Sequence, residues 1–286
     1  MAGVYFYDNQ WFEECPKLIG PTDHSFWLGS SVFDGARVFQ GLAPDLGLHV
    51  ARLFKSARSM GLAPKETETE VERLCVEGIR KLPKTTELYI RPMFFARGGF
   101  VVPEPESTEF CLSVYDAPLP EFDGIKIRFS AWRRPAQDMA LTNAKAGALY
   151  PNSSRALREA LELGFDNAVV KDANGNIAEL ATANLWMVKD NVASTPALTG
   201  TFLAGVTRYR VACLLRENGI AVEETTLTES DLRNADEIFS TGNFAKVQPV
   251  VQLEDRTLEI GPICKLAYQL YFEYAKGFDV FATQSE

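Results

Sequence analysis

The sequence predicts a mixed α/β protein built as two domains. Apolar residues recur at helical spacing in some segments and alternate in others, along the whole chain. Several alternating segments are joined by two-residue turns, so the sheets should not be purely parallel. One stretch rich in breakers, Pro118-Leu119-Pro120-Glu121-Phe122-Asp123-Gly124, reads as a linker. It divides the 286 residues into a smaller N-terminal α/β domain at 1–117, a linker at 118–124 and a larger C-terminal α/β domain at 125–286.

Val4 to Phe12 reads as a hairpin, with Asp8-Asn9 as the turn between two aromatic strands. From Trp27 to Phe39, glycines punctuate a short helical turn that leads into a strand. His49 to Met60 is helical, because Val50, Leu53, Phe54 and Ala57 share a face and Gly61 follows. Thr67 and Glu70 form a capping box ahead of a second helix. Leu88 to Phe95 is a strand in which Pro92 suggests a bulge or an edge, and Glu109 to Tyr115 is another. Ile125, Ile127, Phe129 and Ala131 alternate as a half-buried strand. Asn152 or Ser153 is expected to cap the next helix, which Gly164 ends. Asn174-Gly175 and Asp190-Asn191 mark two hairpins. Thr207 to Arg216 is a helix, Glu237 to Ser240 and Val247 to Leu253 are strands, and Pro262 to Lys276 is the last helix.

Composition narrows the function. A net charge of −9 without a Lys/Arg cluster argues against a nucleic-acid binder. No apolar run approaches the roughly 20 residues of a membrane span. The N-terminus lacks a secretory pattern, and five scattered cysteines suit reduced thiols, so a cytoplasmic protein is expected. With only His24 and His49 present, far apart, neither a His-based metal site nor a His-dependent triad is supported.

One lysine stands out. Lys145 is a single cation among small and apolar residues from Leu141 to Tyr150, with no acid between Asp138 and Glu159. Such surroundings disfavour the charged form and favour a nucleophilic amine, which a Schiff-base lysine needs. Alone, the stretch also suits a surface lysine on a loop. Four further features join it. Glu179 is the only acid between Asp172 and Asp190, and a buried carboxylate there needs a donor such as a protonated pyridine nitrogen; it equally suits a strand end facing water. Leu203-Ala204-Gly205-Val206-Thr207-Arg208 opens a helix and exposes N–H groups to an anion, or is an ordinary threonine cap. Ser240-Thr241-Gly242-Asn243-Phe244 is a tight turn able to bind phosphate, or a plain hairpin. Arg52 is a bidentate cation suited to phosphate, or a solvated helix arginine. Together with the Tyr150 phenol these groups match pyridoxal 5′-phosphate.

The chain resembles the class IV (fold-type IV) aminotransferases, most of all the branched-chain amino-acid aminotransferases, from about His24 to about Lys276. The resemblance rests on Gly29 to Arg37, His49 to Leu53, Tyr89 to Pro92, Ala144 to Gly147 with Tyr150, Glu179 with Asn184-Leu185, Leu203 to Arg208, and Ala235 to Phe239. It implies the two-domain, D-amino-acid-aminotransferase-like fold, with the site in the cleft, and a homodimer or higher homo-oligomer that completes each pocket. It implies that Lys145 carries the cofactor as a Schiff base and shuttles a proton, that Glu179 holds the pyridine nitrogen, and that Tyr150 holds the ring oxygen. Arg52, Gly205, Val206, Thr207, Gly242 and Asn243 would hold the phosphate, with Leu203 against the ring. Tyr89 and Arg91 match positions linked to substrate recognition. Phe33, Leu28, Phe244 and Arg97 are further substrate-side candidates.

Departures bear on the substrate. Gly242-Asn243-Phe244 replaces the usual Gly-Thr-Ala, Leu28 stands where an aromatic is common, and Leu149 where asparagine is common. The loop at Arg97 lacks the usual Gly-Met-Gly run. The expected reaction moves the amino group of a branched-chain L-amino acid to 2-oxoglutarate, with small-molecule amino donor and keto-acid acceptor. The alternatives are an (R)-selective amine transaminase or a D-amino-acid transaminase of the same fold, then aminodeoxychorismate lyase or a non-catalytic cofactor binder.

Overall fold

The computed structural model describes residues 2–282. The chain forms two compact units, and each is built around its own sheet. The first runs up to Leu119 and also takes Ala144–Ala148 and the segment from Ala275 onward; the second holds Pro120–Asn143 and Leu149–Tyr274. Residues 125–286, expected as the C-terminal domain, thus contribute to both compact units. Ala144–Ala148 is claimed by the first unit because Ala146 bridges to Val32. The C-terminal segment is claimed through an Ala43 N–H bond to the Phe278 carbonyl at 2.9 Å and an Arg80 Nε bond to the Val280 carbonyl at 2.8 Å.

The first unit orders β1 (Gly3–Tyr7), β2 (Gln10–Phe12), α1 (His24–Trp27), β3 (Ser31–Phe33), β4 (Ala36–Val38), α2 (Leu46–Met60), α3 (Glu68–Arg80), β5 (Leu88–Ala96) and β6 (Thr108–Asp116). Its six-stranded sheet runs β2-β1-β6-β5-β3, with β4 also on β5, and every pairing is antiparallel. Asp8 and Asn9 both take positive φ, 49° and 57°, the geometry of a two-residue hairpin turn. The capping box of α3 forms as the sequence predicts, and α2 ends on Gly61 in the left-handed conformation.

Strand β5 positions chemistry by alternation. Leu88, Ile90 and Phe94 are buried on one face, where the Phe94 ring meets Phe54 of α2 at 5.1 Å. Tyr89, Arg91 and Met93 take the other face. Pro92 marks neither an edge nor a bulge. It lies opposite the break between β3 and β4, where its carbonyl accepts the Asp34 N–H at 3.1 Å, so its missing N–H costs no ladder bond.

The second unit orders β7 (Ile125–Arg133), α4 (Tyr150–Glu162), β8 (Asn167–Lys171), β9 (Ile177–Leu180), β10 (Asn184–Lys189), β11 (Val192–Pro196), α5 (Val206–Glu217), β12 (Ala221–Thr225), α6 (Glu229–Arg233), β13 (Glu237–Gly242), β14 (Lys246–Leu253), β15 (Arg256–Thr257) and α7 (Pro262–Ala275). Its sheet runs β12-β11-β10-β13-β14-β7-β8-β9, with β15 on β14. The β7–β8, β7–β14 and β11–β12 pairs are parallel and the others antiparallel. Ile127, Val169, Leu180, Leu185, Ile238 and Val250 fill its core.

Helix α4 starts before the expected caps, at Tyr150 with Pro151 in the first turn. Asn152 and Ser153 are drawn instead to the end of β7: Asn152 Nδ2 donates to the Arg133 carbonyl at 3.1 Å, and Arg134 Nη1 donates to Ser153 Oγ at 3.3 Å. The Asp236-Glu237 pair is architectural. Asp236 accepts from Lys189 Nζ at 2.8 Å and the Asp190 N–H at 3.0 Å. Glu237 accepts the first N–H groups of α7, from Ile263 at 3.1 Å and Cys264 at 2.8 Å.

Candidate active site

In the first unit, the lysine segment lies along β3. The Phe33 N–H bonds the Lys145 carbonyl at 3.1 Å. The Lys145 N–H is accepted by Ser56 Oγ at 3.0 Å, and that hydroxyl donates to the Arg52 carbonyl at 2.9 Å. Small residues are needed on this path. A Cβ on Gly147 would sit 2.9 Å from Ser31 Oγ, and Ala144 and Ala146 are both buried. The backbone is thus held, while Lys145 Nζ lies 4.7 Å from the Phe33 ring centroid. The structure brings together Lys145, Phe33 and, through Ser56, the helix turn that carries Arg52.

Arg52 is not a solvated helix arginine. Its Nε and Nη2 donate to Asp34 Oδ2 at 2.7 Å and Oδ1 at 2.9 Å. Asp34 also takes the Gly35 N–H at 2.7 Å and His49 Nδ1 at 2.8 Å. Burial alone would raise the Asp34 pKa, but the Arg52 charge and the His49 hydrogen bond outweigh it and hold the carboxyl well below the usual carboxylate range. The anionic Asp34 fixes the plane of the guanidinium. Neither Asp34 nor His49 was among the site residues expected from sequence; both lie in stretches that carry the family resemblance.

The substrate-side candidates of this unit separate. On β5, the Arg91 guanidinium lies 5.2 Å from the Tyr89 and 5.2 Å from the Tyr115 ring centroids and donates to the Tyr115 hydroxyl. Its Nε is buried with no partner. Arg97 is spoken for by its own chain. Its three nitrogens meet Asp23 at 2.7 Å, Glu109 at 2.9 Å and the Tyr7 hydroxyl at 2.7 Å. That network ties the segment before α1 to β1 and β6 and gives each nitrogen of Arg97, expected on the substrate side, a partner from its own chain. Leu28 follows α1 and is exposed.

In the second unit, Glu179 on β9 is buried. Arg134 Nε stands 3.3 Å from its Oε1, and Asn184 Nδ2 stands 3.5 Å from its Oε2. Arg134 is itself buried and also donates to the Thr201 carbonyl at 3.1 Å. Sequence reasoning missed Arg134; the signal was the rule that a buried acid needs a cation, and the basic pair Arg133-Arg134 at the end of β7 supplied a candidate. Asn184 Nδ2 donates to the Leu203 carbonyl at 3.2 Å, which links Glu179 to the loop before α5. A Cβ on Gly205 would lie 1.9 Å from Asn184 Oδ1, so any larger residue at this N-cap would displace the Asn184 amide.

Helix α5 begins with no side-chain cap. The N–H groups of Val206, Thr207 and Arg208 therefore have no acceptor within the helix, and the Thr207 hydroxyl is buried without a partner. The Arg208 guanidinium does not join them, because it is buried against Glu224 at 2.8 Å. An uncapped 12-residue helix with an orphaned buried hydroxyl at its start fits a phosphate. Gly242 approaches Ala183 closely, with a Cβ 3.2 Å from that methyl. Asn243 and Phe244 follow in the turn, and Phe244 is exposed and lines a cavity of about 420 Å³ with Ile125, Leu157 and Thr182. Tyr150, partly exposed, opens α4.

Residues 31–253 match the family described as amino-transferase class IV. A probable branched-chain-amino-acid aminotransferase of Aquifex aeolicus is 31% identical over 268 residues, covering 89% of this chain and 86% of its own. The crystal structure of an aminotransferase from Brucella abortus bound to the cofactor PLP superposes with a TM-score of 0.95 at 46% identity, covering 96% of this chain and all of that one, 100%. A branched-chain amino acid aminotransferase of T.th., complexed with N-(5′-phosphopyridoxyl)-L-glutamate, superposes with a TM-score of 0.89 at 27% identity, covering 96% of this chain and 95% of its own.

Proposed function

The chain belongs to the class IV aminotransferases, and we propose that within this family it moves the amino group of a branched-chain L-amino acid to 2-oxoglutarate. It is a pyridoxal-phosphate-dependent transaminase with the class IV aminotransferase fold. The donor set fits the cofactor on the chain's own terms: an unpartnered buried hydroxyl at Thr207, an uncapped helix start, and a glycine at 205 where a side chain would displace the Asn184 amide.

Bound there, the cofactor supplies an electron sink for bond changes at the substrate Cα. Lys145 would be the amine that anchors it and that moves the Cα proton. Its backbone is fixed by Ser56 and Phe33, so only the side chain need move. Glu179 would hold the ring nitrogen and keep its proton, with Arg134 and Asn184 beside its carboxylate. Gly205, Val206, Thr207, Gly242 and Asn243 would hold the phosphate, as would Arg52, which Asp34 braces. Leu203 would face the ring and Tyr150 would hold its oxygen.

One observation carries the choice of acceptor: the buried, partnerless Nε of Arg91 on the aromatic face of β5. A half-buried guanidinium without a carboxylate of its own is costly, and the second carboxylate of 2-oxoglutarate offsets that cost. The branched-chain enzymes among the relatives, one of them bound to a phosphopyridoxyl-glutamate, support the same donor and acceptor. Phe33 and Leu28 suit an aliphatic side chain. The reading extends to a cytoplasmic homodimer or higher homo-oligomer. Exposed Phe26, Trp27, Leu28, Phe100, Val101 and Val102 are apolar surface that a second copy would cover. Among the described residues, no helix is long and apolar enough to cross a membrane.

Two measurements test this. Borohydride should fix the cofactor onto the tryptic peptide containing Lys145, and a different peptide would overturn the site. Initial rates with one keto acceptor should favour L-leucine over D-alanine and (R)-1-phenylethylamine. A clear preference for (R)-1-phenylethylamine would replace the branched-chain donor with the (R)-amine reading while leaving the family intact.

A further inference from the structure

The turn from Gly242 to Lys246 holds a side chain that the transaminase reading does not use. Lys246 opens β14, opposite Gly242, and is fully buried. Its φ of 64° lies in the left-handed region. That conformation closes a three-residue hairpin loop, and glycine adopts it at least cost. A lysine there is unfavourable twice, in its backbone and in the desolvation of its amine. Such a residue persists where its side chain has a task.

The side chain reaches back into its own turn. Lys246 Nζ donates to Asn243 Oδ1 at 2.9 Å and lies 5.6 Å from the centroid of the buried Tyr271 ring on α7. An ammonium has three donors and no acceptor, so the Asn243 amide must turn its oxygen toward Lys246. Its nitrogen then faces the other way, and Asn243 Nδ2 is buried without a partner. The lysine thus removes the acceptor half of the amide and leaves a pure donor at the turn.

We propose that Lys246 is a positioning residue that turns the Asn243 amide nitrogen away from itself, so that this shielded, unpartnered donor receives an oxyanion group, the phosphate of the cofactor or the carboxylate of the substrate. The proposal rests on the transaminase reading above. It also accounts for the departure at this turn. A threonine hydroxyl rotates to donate unaided, whereas an asparagine amide can present either end. Asparagine at 243 therefore needs a partner that selects the nitrogen.

The test compares ligands that differ in one anionic group. Apo wild type, Lys246→Met and Asn243→Asp are titrated with pyridoxal 5′-phosphate and with pyridoxal. The loaded proteins are titrated with 4-methylvalerate. Lys246→Met should lose about tenfold in affinity for one oxyanion ligand and nothing for pyridoxal. Loss for pyridoxal 5′-phosphate assigns the phosphate; loss for 4-methylvalerate alone assigns the carboxylate. Asn243→Asp keeps the lysine contact but puts an acceptor in place of the Nδ2 donor. It should lose at least as much at an unchanged melting temperature, and it tests the idea even if Lys246→Met fails to fold. In an Asn243→Thr background, Lys246→Met should cost no further affinity. Equal losses for pyridoxal and its phosphate, an unaffected Asn243→Asp, or the same cost in both backgrounds would overturn the inference. Wild type that binds the cofactor normally alongside such results isolates the failure to Lys246. Wild type that binds none would remove the reading beneath it.

Discussion

Arg91 and Arg97 stand six positions apart at one strand, and the chain treats them in opposite ways. Arg97 has two carboxylates and a phenol, one to each nitrogen, supplied by Asp23, Glu109 and Tyr7. Arg91 lies between the rings of Tyr89 and Tyr115 and keeps a buried Nε without a partner. Among the described residues, no carboxylate bonds to it. The same guanidinium is a clamp where its own chain balances the charge and a receptor where it does not. Alternation along β5 sets Arg91 on the aromatic face away from Phe94 and α2, and the partners each arginine meets, rings for one and carboxylates for the other, separate the two.

That contrast can be broken most sharply at Arg91. In Arg91→Leu the KM for 2-oxoglutarate should rise on the order of 100-fold, as when a buried charge pair loses one member. Pyruvate, which lacks the second carboxylate, should change little, and the melting temperature should hold. A fall in stability with both acceptors equally affected would make Arg91 a second clamp. Arg97→Met should do the reverse. Losing charge-assisted bonds at a partly exposed site costs on the order of 2 kcal/mol, discounted for solvent screening. For a chain of this size the melting temperature should drop about 5 °C. The KM for 2-oxoglutarate should stay within about twofold; a large rise would return Arg97 to the substrate.

What could be read from the sequence follows the range of the signal. Periodicity and turns are local, so Asp8-Asn9, the Thr67 capping box, the α2 face and the hairpins at Asn174-Gly175 and Asp190-Asn191 were all legible. Elements shorter than the periodicity were not: α6 has five residues, and β12 is a largely exposed edge strand carrying Glu223 and Glu224. Charge pairing is non-local. Glu179 meets Arg134 and Arg52 meets Asp34 across stretches that carry no pairing signal, so the site's anions and cations were named without their braces. The same holds for Lys246, whose side chain reads as an ordinary strand-end lysine until its φ and burial are seen. The breakers at 118–124 are a local signal; the placement of Ala144–Ala148 in the first unit rests on a β-bridge to Val32, which no local signal announces.

The smallest expected effect sharpens the comparison by pH. Burial by itself would raise the Glu109 pKa, but hydrogen bonds from Arg97 and Tyr7 leave it lowered. Asp23 is lowered by the Gly20 N–H and by Arg97. A carboxylate with a lowered folded pKa binds fewer protons folded than unfolded, so stability rises with pH until the unfolded group has ionised. The contribution is complete above the ordinary values, about 4 for Asp and Glu, and is lost as pH falls through the folded ones. The melting-temperature gap between wild type and Arg97→Met should therefore be constant from about pH 8 to pH 5 and narrow below about pH 4. Arg91→Leu removes no carboxylate partner, so its gap from wild type should stay flat over the same range. Thermal melts at matched ionic strength measure both. A gap for Arg97→Met that persists unchanged into acid would mean that packing against Phe95, whose ring centroid lies 5.3 Å from the guanidinium, and not its carboxylates, is what holds Arg97 in place.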